Sequence, residues 1–136
     1  MANPVPSGLL DLATADLDAA HRLTVPGLYY NACYHAQQAA EKALKAVLLH
    51  EIKTFPKTHD LSRLVDAIRF SQTTVPDFAL ESAVLNEYAV DMRYEPEVLT
   101  DVDVDEAEAA IGYAETILNH ARQFFGESNA PQTIAP

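Results

Sequence analysis

From Leu28 to Glu51 the chain runs without a glycine or a proline. Nothing in that stretch breaks a helix, and its side chains are arranged for one. Tyr30, Cys33, Gln37, Ala40, Leu44 and Val47 recur at helical spacing on one face. Ala32, Ala36, Ala39, Ala43 and Ala46 line an adjacent face, where short side chains let another helix approach closely. A helix that needs partners on two faces must lie inside a bundle. The rest of the composition agrees, with only 4 Gly against 8 Pro in 136 residues and many Ala and Leu. One domain is expected from this length.

The flanking segments supply the partners. Residues 1 to 7, with Pro4 and Pro6, read as a flexible N-terminal arm. Ser7 is the expected cap of a first helix from Gly8 to Leu23, with Leu9, Leu12, Ala13, Leu17, Ala20 and Leu23 as its apolar stripe. Pro26 is placed to open the long helix. Thr58 is the expected cap of a third helix, His59 to Phe70, packing through Leu61, Leu64, Val65 and Ile68. Pro76 starts a fourth, to Met92, packing through Phe78, Leu80, Val84, Leu85, Tyr88 and Met92, and Pro96 stops it. The last helix spans Asp103 to Phe125, through Val104, Ala107, Ile111, Ala114, Ile117, Leu118, Ala121 and Phe125, and Gly126 ends it. Residues 127 to 136 read as a disordered tail. The expected fold is all-α: an up-and-down bundle of four to five antiparallel helices over residues 8 to 126. The alanine face is expected to be hidden in a dimer.

The net charge is −11, which repels nucleic acid from the molecule as a whole. The charge is unevenly spread. Residues 42 to 69 hold six basic and three acidic groups, whereas residues 70 to 136 hold two basic and thirteen acidic. A basic middle on an acidic chain suits a local phosphate, the acidic part of another subunit, or plain solvent. No apolar run is long enough to span a bilayer, and the first ten residues lack the basic and apolar regions of a secretory signal. A soluble cytoplasmic protein without membrane contact is expected. The single cysteine, Cys33, excludes an internal disulfide.

Several chemistries fail on spacing. Asp101, Asp103 and Asp105 begin like a calcium loop, but the positions that need Gly and Glu hold Glu106 and Gly112. No Glu has His three residues later, and the five histidines include no pair at ligand spacing, so no metal is expected. Cys33 and His35 point to different faces, which leaves Cys33 as a small core residue. There is no Gly-rich phosphate loop, and no motif calls for a cofactor.

What remains is a polar stripe on the long helix. His35, Gln38, Lys42 and Lys45 are spaced 3, 4 and 3 and share one face, with Glu41 beside them. The lysines could hold a phosphate by charge, His35 and Gln38 by hydrogen bonds; the same stripe could simply face solvent. Arg93, followed by Tyr94, ends the fourth helix. It could bind the terminal carbonyls of its own helix or offer a bidentate donor fork to a groove.

These segments resemble the HEPN domain (higher eukaryotes and prokaryotes nucleotide-binding). Tyr29 to Ala46, reading YYNACYHAQQAAEKALKA, resembles its signature helix. Lys57-Thr58-His59-Asp60-Leu61 resembles the start of its next helix, and Arg93-Tyr94-Glu95-Pro96 its Arg-Tyr-Pro segment with one residue inserted. The likeness covers residues 8 to 125. It implies a bundle that dimerises, with a groove near the dimer axis lined by the second and fourth helices. Many members are ribonucleases with an Arg and a His separated by four to six residues. Here the positions that would hold the His are Val98, Leu99 and Thr100, and no His follows Arg93 before His120. Other members pair with a minimal nucleotidyltransferase, some as toxin and antitoxin, and some partners transfer nucleotides to a Tyr near the Arg motif. Tyr94 stands in such a place.

Three functions follow as expectations. The first is a non-catalytic module that binds a nucleotide, RNA or a partner-bound phosphate at His35, Gln38, Lys42, Lys45, Arg93 and Tyr94, with His59 as a secondary candidate. The second is a ribonuclease in which His35 or His59 replaces the missing base. The third is a structural partner using only its faces. The first carries the expectation, as a homodimer with a nucleotidyltransferase partner.

Overall fold

The computed structural model describes residues 5–71, 82–88 and 102–125. Four α-helices and one 3₁₀ helix make up these residues: α1 (Pro6–Arg22), α2 (Tyr29–Ile52), α3 (Leu61–Phe70), the 3₁₀ helix Ser82–Tyr88 and α4 (Val104–Phe124). No strand occurs among them, and the expected all-α fold is what is found.

α2 is the axis of the molecule. It packs most extensively against α1 and α4, then against α3 and the 3₁₀ helix. Every residue expected on its two inner faces is buried, and Ala32, Ala36, Ala39, Ala43 and Ala46 are each 0% exposed. The expectation that a second copy covers the alanine face is therefore corrected. Short side chains let helices of the same chain close over it, and nothing of it remains for a dimer. Cys33 is likewise fully buried. Burial pushes its thiol up to about 12, against a weaker opposing hydrogen bond with Tyr88. Thiolate is the reactive form, so Cys33 in the native protein is expected to resist iodoacetamide at neutral pH. It should react once denaturant unfolds the chain, with mass spectrometry as the readout; rapid native labelling would contradict this burial.

The helix ends are set by local chemistry, and three differ from expectation. Ser7 is not the cap of α1: Pro6 opens the helix two residues earlier than expected, after an extended Val5, where its missing N–H is no loss. Pro26 does not open α2. Val25 O accepts from Leu28 N at 3.0 Å, and Gly27 has φ +88°. Pro at the second position and a left-handed Gly at the third are the marks of a type II turn. α2 then starts at Tyr29, and its far end is closed by Lys53 at φ 67°, whose N–H reaches Leu49 O. Thr58 does not cap α3; Asp60 does. α4 begins as its sequence suggests, with Asp103 Oδ1 accepting from Glu106 N at 2.9 Å.

The core otherwise follows the periodicity. Leu61, Leu64, Val65 and Ile68 of α3 are buried, as are Ala107, Ile111, Ala114, Ile117, Leu118 and Ala121 of α4, whereas Val104 in the first turn of α4 is exposed. On α1, Leu9, Ala13 and Ala20 are buried, but Leu12 faces out and Leu10 takes a core position instead. The expected fourth helix lies partly outside the described residues, including Pro76, Phe78, Leu80 and Met92. Where it is described it is 3₁₀ rather than α. Three residues per turn bring Leu85 and Tyr88 onto one buried line and turn Val84 outward. Tyr88 then packs edge-on against Tyr30 and donates to the carboxylate of Glu106 on α4. Burial is the main reason its hydroxyl is held well above the ordinary tyrosine range.

Candidate functional site

The polar stripe of α2 forms, but its cations are already partnered. Asp16 of α1 lies against it. Its Oδ1 is 2.9 Å from His35 Nδ1, and its Oδ2 accepts from Lys42 Nζ. One turn along, Glu41 is nearly buried, at 3% exposed. It accepts from Lys45 Nζ at 2.9 Å and from Gln37 Nε2 at 3.2 Å, and its two oxygens lie 3.0 and 3.1 Å from His59 Nδ1. Gln38 donates to Gln37 Oε1 at 2.7 Å. The Lys45 ammonium also sits 5.2 Å from the centroid of the Phe55 ring, within cation–π range.

Two groups of the same design result: one carboxylate, one lysine and one histidine each. The carboxylates lie behind the cations. Asp16 and Glu41 side chains are 13% and 4% exposed, against 32% for His35, 27% for Lys42 and 61% for His59, while Lys45 at 13% is as deep as Asp16. In each ion pair the carboxylate is thus the more buried partner. The two lysines and two carboxylates balance in charge.

His59 reaches this stripe because of how α3 begins. Thr58 Oγ1 accepts from Asp60 N at 3.0 Å, which turns the chain. Asp60 Oδ1 then accepts from Ser62 N at 3.0 Å, from Ser62 Oγ at 2.6 Å and from Asn86 Nδ2 at 2.9 Å. Asn86 Oδ1 in turn accepts from Leu61 N at 2.9 Å, so the 3₁₀ helix clamps the start of α3. Gln37 Nε2 donates to the His59 carbonyl at 3.3 Å, completing the junction with α2. The Ser62 hydroxyl is the first cause holding the Asp60 carboxyl below its ordinary value, with the Ser62 N–H and Asn86 adding to it. The Asp60 carboxyl is thus bound more tightly as an anion when folded. Its contribution is present above pH 3.8 and is lost as pH falls through the lowered folded value. Asp60→Ala is expected to reduce stability by about 1–2 kcal/mol at neutral pH. In urea titrations the gap from wild type should narrow in acid; an equal gap at both pH values would show that the carboxylate is not what matters.

Of the residues singled out by sequence, the structure joins His35 to Lys42 through Asp16, and Lys45 to His59 through Glu41. Gln38 joins the second group through Gln37. Arg93 and Tyr94 lie outside the described residues. Sequence reasoning missed Asp16, Asn86 and the role of Gln37. Asp16 and Asn86 come from distant segments, so periodicity on α2 cannot find them. Gln37 left a signal: a polar residue on an otherwise apolar face needs a buried partner.

The molecule is thus a small helical bundle with a polar stripe on its central helix, pinned by the turn that opens the next one. The family model of the HEPN domain matches residues 7–124, and the chain belongs to that family. Among solved structures, the crystal structure of an archaeal HEPN homologue matches it with a TM-score of 0.74 at 26% identity. That match covers 90% of this chain and 98% of the other. No curated protein matches the chain.

Proposed function

We propose that the chain is a nucleotide- or phosphate-binding HEPN module, itself non-catalytic, that acts as a homodimer with a minimal nucleotidyltransferase in a toxin–antitoxin-like pair. The observation that carries this reading is the α2 stripe, where the donors of His35, Lys42 and His59 are more exposed than the carboxylates of Asp16 and Glu41 that hold them, with Lys45 set deeper beside Glu41. Charge and hydrogen-bond donors on one rigid helix suit a phosphate. Arg93 and Tyr94 would complete the site. The lack of a histidine at Val98, Leu99 or Thr100 speaks for binding without cleavage. Titration with nucleotides should saturate for the wild type and weaken at least tenfold in Lys42→Ala/Lys45→Ala and in Arg93→Ala. Equal binding by all three would remove the site, and pull-down from native cells without a nucleotidyltransferase would remove the partner.

One observation favours a ribonuclease as the second reading. Glu41 on His59 Nδ1 and Asp16 on His35 Nδ1 each fix an imidazole as a carboxylate does for a general base. RNA left intact by the purified protein during long incubation would set it aside.

A further inference from the structure

The geometry points to a contact between two copies of this chain, in which Phe70 of one copy enters a hollow between the 3₁₀ helix and α4 of the other. This deepens the homodimer of the reading above by giving it a surface, since the alanine face of α2 is closed within the chain.

Phe70 is the last residue of α3 and is 88% exposed, the most exposed of the large apolar side chains described. A single apolar side chain in water means little by itself. Phe70 differs in its setting. Arg69 precedes it, and Arg63 lies two turns back on the same face. Both arginines are exposed, and their guanidinium groups have no partner among the described residues, unlike the paired lysines of the α2 stripe. Asp66 shares that face and pairs with neither. α3 therefore ends in an aromatic knob beside two uncommitted positive charges, and aromatic and arginine side chains are where binding energy concentrates in interfaces.

The hollow has the complementary character. It holds about 120 Å³, and Val84, Ala109, Ala110 and Tyr113 give it apolar walls. The two alanines leave the room. A cavity of about 150 Å³ takes up benzene, so this open hollow has the size for one phenyl ring entering from outside. Glu87 and Glu106 add carboxylates to its lining, and Asp105 adds an exposed one a turn before Ala109 on the same face of α4. An incoming Phe70 would bring Arg69 and Arg63 toward these anions.

The knob does not fill the hollow of its own chain. The 3₁₀ helix meets α3 at the opposite end, where Asn86 bonds to Leu61 and Asp60. From Leu61 to Phe70 the helix advances about 13 Å. A second copy supplies both halves of the contact: a ring for the hollow, and acidic groups for the arginines. A knob and a hole on different surfaces of one chain fit a two-fold pair, in which each copy gives one and takes one.

Sedimentation equilibrium of the full chain, with two variants, is the test. Phe70→Ala removes the knob. Ala109→Arg blocks the hollow and repels the arginines. Both positions are exposed, so each variant should keep native circular dichroism. Each substitution acts twice in a two-fold pair, so the dimer Kd should rise at least about a hundredfold in either variant. An equimolar mixture of the two restores one contact, and should associate at least about tenfold more tightly than either variant alone. The wild-type dimer should also weaken between about 0.05 and about 0.5 M NaCl. A dimer that keeps its wild-type affinity in either variant, or a mixture no tighter than its parts, would overturn the inference and leave the homodimer standing. A wild type that stays monomeric at every concentration would remove both.

Discussion

Glu41→Ala is expected to destabilise the protein by about 3–5 kcal/mol, the usual result of removing one partner from a buried ion pair. The reason lies in what is left behind. Lys45 has a side chain only 13% exposed and would keep its positive charge with no anion in contact. Gln37, fully buried, would lose its acceptor at Glu41 and keep the weaker bond to the His59 carbonyl. The exposed imidazole of His59 adds little to this loss, since water takes the place of its partner. Urea unfolding monitored by circular dichroism is the direct measurement. The double variant Glu41→Ala/Lys45→Met should recover much of the loss by removing the stranded cation. A Glu41→Ala loss below about 1 kcal/mol would place the pair in solvent, where such bridges contribute that little.

The fold was largely legible because its determinants are periodic. The interval from Leu28 to Glu51 anticipates α2 to within a residue at each end, and both inner faces are buried as the spacing requires. Where sequence reading failed, the deciding partner was distant or two local solutions competed. Thr58 and Asp60 are both good caps two residues apart; Asn86, 26 residues beyond Asp60, decides between them. Pro26 suits a helix start and a turn equally well, and the glycine after it settles the matter with a positive φ. Val84 fits an α-helical stripe, but the tighter 3₁₀ winding turns it outward.

The site was legible only on its own helix. Spacing put His35, Gln38, Lys42 and Lys45 on one face; their contacts divide them, His35 and Lys42 turning to Asp16, Gln38 to Gln37 and Lys45 to Glu41. Spacing cannot say what another helix brings to that face. Asp16, on α1, changes the meaning of Lys42 from a free cation to half of an ion pair. Glu41, noted only as a neighbour, proves to be the buried centre of the second group and the link between the long helix and the Thr58–Leu61 turn. Two of the three segments that carry the family resemblance, Tyr29 to Ala46 and Lys57 to Leu61, therefore meet in space, and their residues have a structural reason to be as they are before any ligand is considered.

That structural role makes the packing of α2 against α4 the second place where a single substitution should be severe. Leu118→Ala is expected to reduce stability by about 3–5 kcal/mol, toward the upper end of what such truncations do. Leu118 is 0% exposed, so its whole side chain is lost from the core. The size of the cost depends on how far neighbours can collapse into the space. On its own helix the flanking buried residues are Ala114 and Ala121, which have no reach. Opposite lies α2, with alanines at much of its buried surface. A methyl group cannot swing into a void, so most of the cavity should persist. Leu12→Ala on α1 supplies the contrast: the same atoms are removed from a residue 54% exposed, and the change should stay within about 0.5 kcal/mol. Urea midpoints for the two variants, with unchanged slopes, give the comparison. Equal losses would mean that burial is not what separates them, and a Leu118→Ala loss under about 2 kcal/mol would mean that the α2–α4 contact can close over the gap.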